Sequence, residues 1–511
     1  MNLFLKEDKK LLVLPAILSF ILTLLLLYKY SFPISWDVYY HIHMINLYAN
    51  NGLVFWDNLT VAPKGRLIMY PPLFHLVFAG ISKTLNISSI ELCRCAQPLF
   101  SAYLIGIITF TTYKITNVRT SFLTGFLAMF CFITFNRSVI CTPATIAIGL
   151  FLIAIVYCYN GIIKENYKEI IISAISLALI WNLHMATAIL TSGVIGLYIL
   201  IQLLKKHINL KIILCYCLIV LCLGLPWWIY IAINYTLVFN SISGTDTIIT
   251  NFFFKYFGVI TTILLLIGYY VLFKKKTKLS IFLLSSSLSL ILLSQIKYLG
   301  FNTVSIRILE VASYVLIIIS GIGLNYIYDN KITQIQYKNL FVALVILLSV
   351  SSALLYEDSY TPDLMGNHDV NNTIIDEHIH LIVNPVVTLF KPTVISSRFA
   401  DNNLAHNRYE IMKYFEENTP NGMLISEDAI MDTIIVSTSS TPVAYGGFTE
   451  SIPDYVTDPV HIIKGWSNKN EIHQLNISHI LLKKDTAVPY YAEIVKENDN
   501  YKICKIRQEY R

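Results

Sequence analysis

Apolar residues along this chain gather in long unbroken runs rather than alternating with polar ones. A helix needs about 20 largely apolar residues to cross the hydrocarbon of a bilayer. Eleven runs approach that length, at 11–28, 96–113, 119–136, 144–160, 169–183, 185–204, 210–233, 257–273, 279–295, 304–324 and 339–356. The pattern predicts a polytopic α-helical membrane protein of about 11 transmembrane helices. The first run follows Lys6, Lys9 and Lys10 and has no small-residue cleavage pattern after it, so it reads as an uncleaved first span.

Basic residues then set the orientation. Lys114 and Arg119, Lys164 and Lys168, Lys205, Lys206 and Lys211, Lys274, Lys275, Lys276 and Lys278, and finally Lys331 and Lys338 all fall in alternate short loops. The opposite short loops are nearly bare of lysine. Basic loops stay on the cytoplasmic side, which predicts a multi-pass protein of the cell membrane with its N-terminus inside and its C-terminal part extracytoplasmic. Counting 71–85 as a further span would reverse every later loop, so this stretch, with His75 and Lys83, reads as a helix lying at the outer interface.

The chain accordingly divides into a transmembrane part at 1–356, which includes a large first outer loop at 29–95, a polar extracytoplasmic linker at 357–405, and a small extracytoplasmic α/β domain at 406–511. In the last, a helix is expected at 408–418, closed by Pro420 and Gly422. Strands follow at 423–426 and 434–437, then a turn-rich stretch beginning Tyr445-Gly446-Gly447, a helix near 458–465 and a strand at 479–483.

Composition agrees. The 511 residues are 55% hydrophobic and only 14% charged, with a mean hydropathy of +0.60, against about 25% charged in soluble domains. That excludes a soluble enzyme or a nucleic-acid binder, and the net charge of +6 sits beside apolar runs rather than in a basic patch. The nine cysteines form no disulfide framework. Cys131, Cys158, Cys215, Cys217 and Cys222 lie in apolar runs, where cysteine packs as a small hydrophobe. Cys504 is alone in the outer tail, and Cys93 and Cys95 lack the second pair a zinc site needs.

Candidate chemistry begins at Asp37 in SWDVYYHIHM, a few residues past the first span. An acid at the membrane surface followed by aromatics and two histidines suits a polar site facing a lipid-borne substrate. The same residues also suit a helix N-cap set in an interfacial belt of Trp36, Tyr39 and Tyr40.

The order of segments adds to this. The first span is followed by WDVYYHIHM, NNGLVFWDN, YPPLFHLVFAGIS and a span pair ending FITFNRSV, and later by SIRILEVASYVLIIISGIG. This order resembles the oligosaccharyltransferase catalytic subunits of archaea and bacteria and, more broadly, the membrane glycosyltransferases of the GT-C fold. The resemblance covers 11–204 and returns at 304–324. It implies transfer of a sugar or oligosaccharide from a polyprenyl-phosphate or -pyrophosphate carrier, at the outer face, to a protein, glycan or lipid acceptor. Asp37 then stands where the family has an aspartate that coordinates a divalent cation (Mg or Mn) and contacts the acceptor. His41, one helical turn on, shares its face as a second metal ligand. Arg307 matches the arginine that contacts the carrier phosphate, with an intrahelical pair to Glu310 as the alternative.

Two departures from the family pattern stand out. After Asn136, Arg137 and Ser138, the residues Pro143, Ala144 and Thr145 occupy the place of an acidic pair. A divalent cation prefers several hard oxygen ligands, so either Asp57 or an acid of the outer tail completes the set, or the enzyme works without metal. The Trp-Trp-Asp-Tyr-Gly sequence that holds an acceptor sequon is also missing; Trp227 and Trp228 follow Pro226 inside a span, and Gly465-Trp466-Ser467 is a fragment. The resemblance therefore implies an inverting transfer with Asp37 as base, Arg307 and Arg137 on the phosphate, and His184 and Tyr40 lining the substrate cavity. A transporter or flippase of lipid-linked sugars and a catalytically inactive scaffold of the same fold are the alternatives. Asp376, Glu377, His378 and His380 form a polar cluster in the linker, and sequons occur at Asn371-Asn372-Thr373 and Asn476-Ile477-Ser478.

Overall fold

A helix stands at each of the eleven apolar runs in the computed structural model, which describes residues 8–29, 32–35, 37–205, 209–234, 249–300, 303–358, 402–446 and 469–510. In chain order these residues form α1 (Leu14–Lys29), α2 (Asp37–Asn51), α3 (Leu73–Leu85), α4 (Ser89–Ile115), α5 (Val118–Phe130), α6 (Phe132–Ser138), α7 (Pro143–Ile163), α8 (Tyr167–Trp181), α9 (Met185–Leu204), α10 (Leu210–Gly224) and α11 (Pro226–Asn234). Further on come α12 (Val259–Lys275), α13 (Lys278–Ser294), α14 (Ser305–Asn330), α15 (Ile335–Asp358), α16 (Asn402–Glu417), α17 (Ala429–Ser439) and α18 (Lys469–Gln474). Among the described residues, six helices are long and apolar enough to cross a membrane, and eight if each of two bent pairs counts as one crossing. The protein is a multi-pass membrane protein. Leucines of α10, such as Leu214 and Leu218, stand exposed on its outside, as a lipid-facing surface requires.

The two bent pairs correct the expectation of unbroken spans at 119–136 and 210–233. Pro226 breaks the second, since it cannot donate to the turn before it, and α10 and α11 meet at 58°. The first turns by 83° between α5 and α6 with neither proline nor glycine at the joint. Carbonyls freed there find side-chain donors: the Tyr356 hydroxyl donates to Phe130 O at 2.7 Å, and Thr134 Oγ1 donates to Ala128 O at 2.5 Å. Satisfied carbonyls remove the main cost of a broken helix in an apolar surrounding.

The segment between α1 and α4 carries α2, α3, which is the helix expected within 71–85, and a short antiparallel pair, β1 (Trp56–Asp57) with β2 (Arg66–Leu67). Near the C-terminus, β3 (Met423–Ser426), β4 (Ile477–Lys483), β5 (Ala492–Glu497) and β6 (Tyr501–Ile506) form one sheet in the order β3-β4-β6-β5, with β3 parallel to β4 and the other pairs antiparallel. The strand expected at 434–437 is instead part of α17, whose N-terminus is capped by the Asp428 side chain accepting from Ile430 N. Its β-branched residues, Ile434, Ile435 and Val436, are all buried, and packing outweighs their local preference for strand.

This sheet unit packs against the segment between α1 and α4. Val443 N donates to Leu59 O and Ala62 N donates to Val443 O, at 2.8 and 3.0 Å. The Asn46 side chain of α2 donates to Ser437 O of α17 at 2.8 Å. The expected helix near 458–465, the linker acids and histidines at 376–380, Gly447 and Trp36 lie outside the described residues.

Candidate functional site at one end of the bundle

Four charged side chains from three elements meet at the end of the bundle that carries α2 and α3. Arg307 and Glu310, three residues apart in the first turns of α14, share a helix face. The bend between α5 and α6 brings Arg137 to them across 173 positions of sequence. Asp37 is the first residue of α2, where a carboxylate also suits the positive end of the helix dipole.

The contacts alternate in sign. Arg137 Nε donates to Glu310 Oε1 at 2.6 Å and Nη2 to Oε2 at 2.9 Å. Arg307 Nη1 stands 3.7 Å from Glu310 Oε2, and its Nη2 donates to Asp37 Oδ2 at 3.2 Å. The series Arg137–Glu310–Arg307–Asp37 is neutral as a whole, and its two ends differ. The Arg137 side chain is 5% exposed and fully engaged by a bidentate carboxylate, whereas Arg307 is 52% exposed. Arg137 is thus a buried partner of Glu310, and of the two guanidiniums Arg307 is the one open to a ligand. The pairing of Arg307 with Glu310 expected within the helix is present, and Arg307 faces Asp37 as well.

Beside these charges lies a patch of imidazoles and aromatic rings. His41 Nδ1 and His75 Nε2 are 2.9 Å apart. The Tyr70 ring stands 5.2 Å from His41 and 6.2 Å from His184, and Tyr40 packs at 6.0 Å from Tyr70 with the Arg66 guanidinium over its other side at 5.5 Å. His184 caps α9: its Nδ1 accepts from Thr187 N at 3.2 Å. An accepting Nδ1 puts the proton of the neutral ring on Nε2. Burial, then the cations of Arg137 and Arg307, push His184 down to about 3. Burial, then His184 and Arg137, push His41 down to about 3 as well. Both rings are neutral at physiological pH, so they offer hydrogen bonds rather than charge.

The metal assignment of Asp37 and His41 does not fit this geometry. Asp37 is paired with Arg307 and His41 with His75. Asp57 is taken too: its Oδ2 meets His43 Nε2 at 2.9 Å and accepts from the Thr60 hydroxyl at 2.5 Å, while Oδ1 accepts from Leu59 N. Burial raises the Asp57 carboxyl, but His43, Arg66 and Thr60 outweigh it and hold the group well below the usual carboxylate range. Among the described residues no three His, Cys, Asp or Glu side chains converge. Thr145, in place of an acid, donates to Ile140 O at 2.7 Å and closes the turn before α7.

Sequence reasoning placed Asp37, Arg307, His184 and Tyr40 here and missed Tyr70 and His75 as their neighbours. The signal was present in YPPLFH, where a tyrosine and a histidine flank the start of α3.

No protein-family model and no curated protein sequence matches the chain. Solved structures do. The oligosaccharyltransferase of Archaeoglobus fulgidus in the apo form is 13% identical over 94% of this chain and 70% of its own, with a TM-score of 0.57; it has also been solved with Zn and sulfate, and with an inhibitory peptide and a dolichol-phosphate. ArnT from Cupriavidus metallidurans in the apo state is 11% identical over 98% of both chains, with a TM-score of 0.59, and has been solved bound to undecaprenyl phosphate. The arabinofuranosyltransferase AftD from Mycobacteria is 13% identical over 98% of this chain and 40% of its own, with a TM-score of 0.56. The chain has the fold of the GT-C membrane glycosyltransferases.

Proposed function

We propose that this protein is an integral membrane glycosyltransferase that moves a sugar or oligosaccharide from a polyprenyl-phosphate-type carrier to an acceptor at the outer face. The N-terminus is cytoplasmic, and residues 406–511 form an extracytoplasmic α/β unit over the site. The observation that carries the reading is the pairing of Asp37 with a half-exposed Arg307 at one end of a GT-C bundle. Support also comes from the neighbours of the same fold that were solved with dolichol-phosphate and with undecaprenyl phosphate.

In this reading the carrier's phosphate binds Arg307, whose planar fork matches phosphate oxygens. The acceptor's hydroxyl or amide is aligned by Asp37, which takes its proton. A bond forms from the acceptor oxygen or nitrogen to the anomeric carbon as the bond from that carbon to the phosphate oxygen breaks, with inversion. The electron pair leaves on the polyprenyl phosphate, and the Arg307 cation stabilises that charge. Neutral His184, with its Nε2 proton, and Tyr40 and Tyr70 line the sugar's place. A divalent cation has no fitting ligand set among the described residues, so no step runs through one.

Purified protein in nanodiscs, supplied with a polyprenyl-phosphate sugar and an acceptor, should release free carrier lipid and glycosylated acceptor. Asp37→Ala should reduce transfer by about 10²-fold or more, the scale of a lost general base. Full transfer by the alanine variant would reject the assignment.

A further inference from the structure

The two ends of the Arg137–Glu310–Arg307–Asp37 series are not equally strong, and the difference predicts an order of events. Arg137 and Glu310 are held by two short hydrogen bonds between buried groups. Arg307 and Asp37 share one bond of 3.2 Å, and the Arg307 side chain is half exposed. An arriving anion therefore meets least resistance at Arg307–Asp37. Arg307 need not swing away when that bond opens, because its Nη1 remains beside Glu310 at 3.7 Å.

We propose that Asp37 is the resting partner of Arg307, and that the carrier's phosphate displaces it. Donor binding then frees the carboxylate that serves as base, so the base is masked until the donor has arrived. The inference rests on the glycosyltransferase reading of this site and adds a sequence of events to it.

Removing the masking carboxylate should raise affinity for the carrier headgroup although it abolishes transfer. The test measures binding of undecaprenyl phosphate to the nanodisc-embedded full chain, for wild type, Asp37→Asn, Arg307→Ala, Arg307→Lys and the Asp37→Asn/Arg307→Ala double variant. Asp37→Asn should bind roughly two- to five-fold tighter, the range set by opening an exposed ion pair. Arg307→Ala should bind more weakly, and Arg307→Lys should recover part of the loss, which separates a lost contact from a folding defect. The gain from Asp37→Asn should vanish in the Arg307→Ala background. Unchanged or weaker binding by Asp37→Asn, with Arg307→Ala still impaired, overturns the exchange and leaves the phosphate role of Arg307 standing. A gain that persists without Arg307 overturns it too, since the effect is then one of general charge. Equal binding by wild type and Arg307→Ala overturns the functional reading, and the exchange with it.

Discussion

Glu310 illustrates how much a single buried carboxylate decides at this site. Two guanidiniums lean on it, one buried and one half exposed. Without it, Arg137 would be a buried charge without its bidentate partner, and Arg307 would keep Asp37 alone. Truncating one member of a buried ion pair costs about 3–5 kcal/mol, whereas replacing both members by apolar residues of similar size is often close to neutral. Glu310→Ala should therefore lower the unfolding temperature in detergent sharply. Glu310→Leu combined with Arg137→Met should restore most of that stability. Transfer activity should stay low in the double variant, because Arg307 would then have only Asp37 for a partner. Equal stability of Glu310→Ala and wild type would show that the Arg137 charge is relieved by something other than Glu310.

At the scale of elements, the helices are legible in the sequence and their joints are not. Each long apolar run becomes a helix because, without water, a helix satisfies its own backbone. The bend between α5 and α6 is different: nothing in Phe130-Cys131-Phe132 announces it, and it depends on Tyr356, a donor 226 positions away. The site divides in the same way. Arg307 and Glu310 are readable as neighbours because they are three apart on a helix, but the bidentate contact from Arg137 depends on that unannounced bend. His43 and Asp57, 14 positions apart, pair only because the loop folds back on α2. The misread stretch at 434–437 shows the opposite limit, where a β-prone run is helical once its side chains are buried.

One helix crossing carries a prediction. A Cβ on Gly323 of α14 would stand 2.1 Å from Leu264 O of α12, and one on Gly268 of α12 would stand 2.1 Å from Ile319 O. The two backbones thus touch, as small residues permit between helices in membranes. Gly323→Ala should force the helices apart and cost about 1–3 kcal/mol, seen as a lower unfolding temperature. Gly193→Ala, where a Cβ meets nothing within 4 Å, should leave that temperature unchanged.

Taken whole, the molecule joins the helix bundle, the loop between α1 and α4 and the C-terminal sheet into one packed body. Buried side chains of α16 and α17, Phe415 and Ile434 among them, belong to the same apolar core as those of α2 and the spans. That loop is also held by the backbone hydrogen bonds of Val443 to Leu59 and Ala62. A proton forced into the loop's interior should therefore loosen the entire assembly rather than one turn of it. His41 and His184 are where that proton would go. Each is pushed from 6.5 down to about 3, chiefly by burial. Between those values the unfolded chain binds a proton that the folded chain refuses, so stability rises with pH through this window and is complete above about 6.5. Each such site contributes at most about 1.4 kcal/mol per pH unit. The unfolding temperature in detergent should thus fall between pH 7 and pH 5. His41→Gln, which keeps a polar side chain but cannot titrate there, should fall less steeply. His184 is left in that variant, with the cations of Arg137 and Arg307 beside it, so a residual slope should remain. An unfolding temperature flat from pH 7 to pH 5 in wild type would mean that these imidazoles take up their protons with the fold intact.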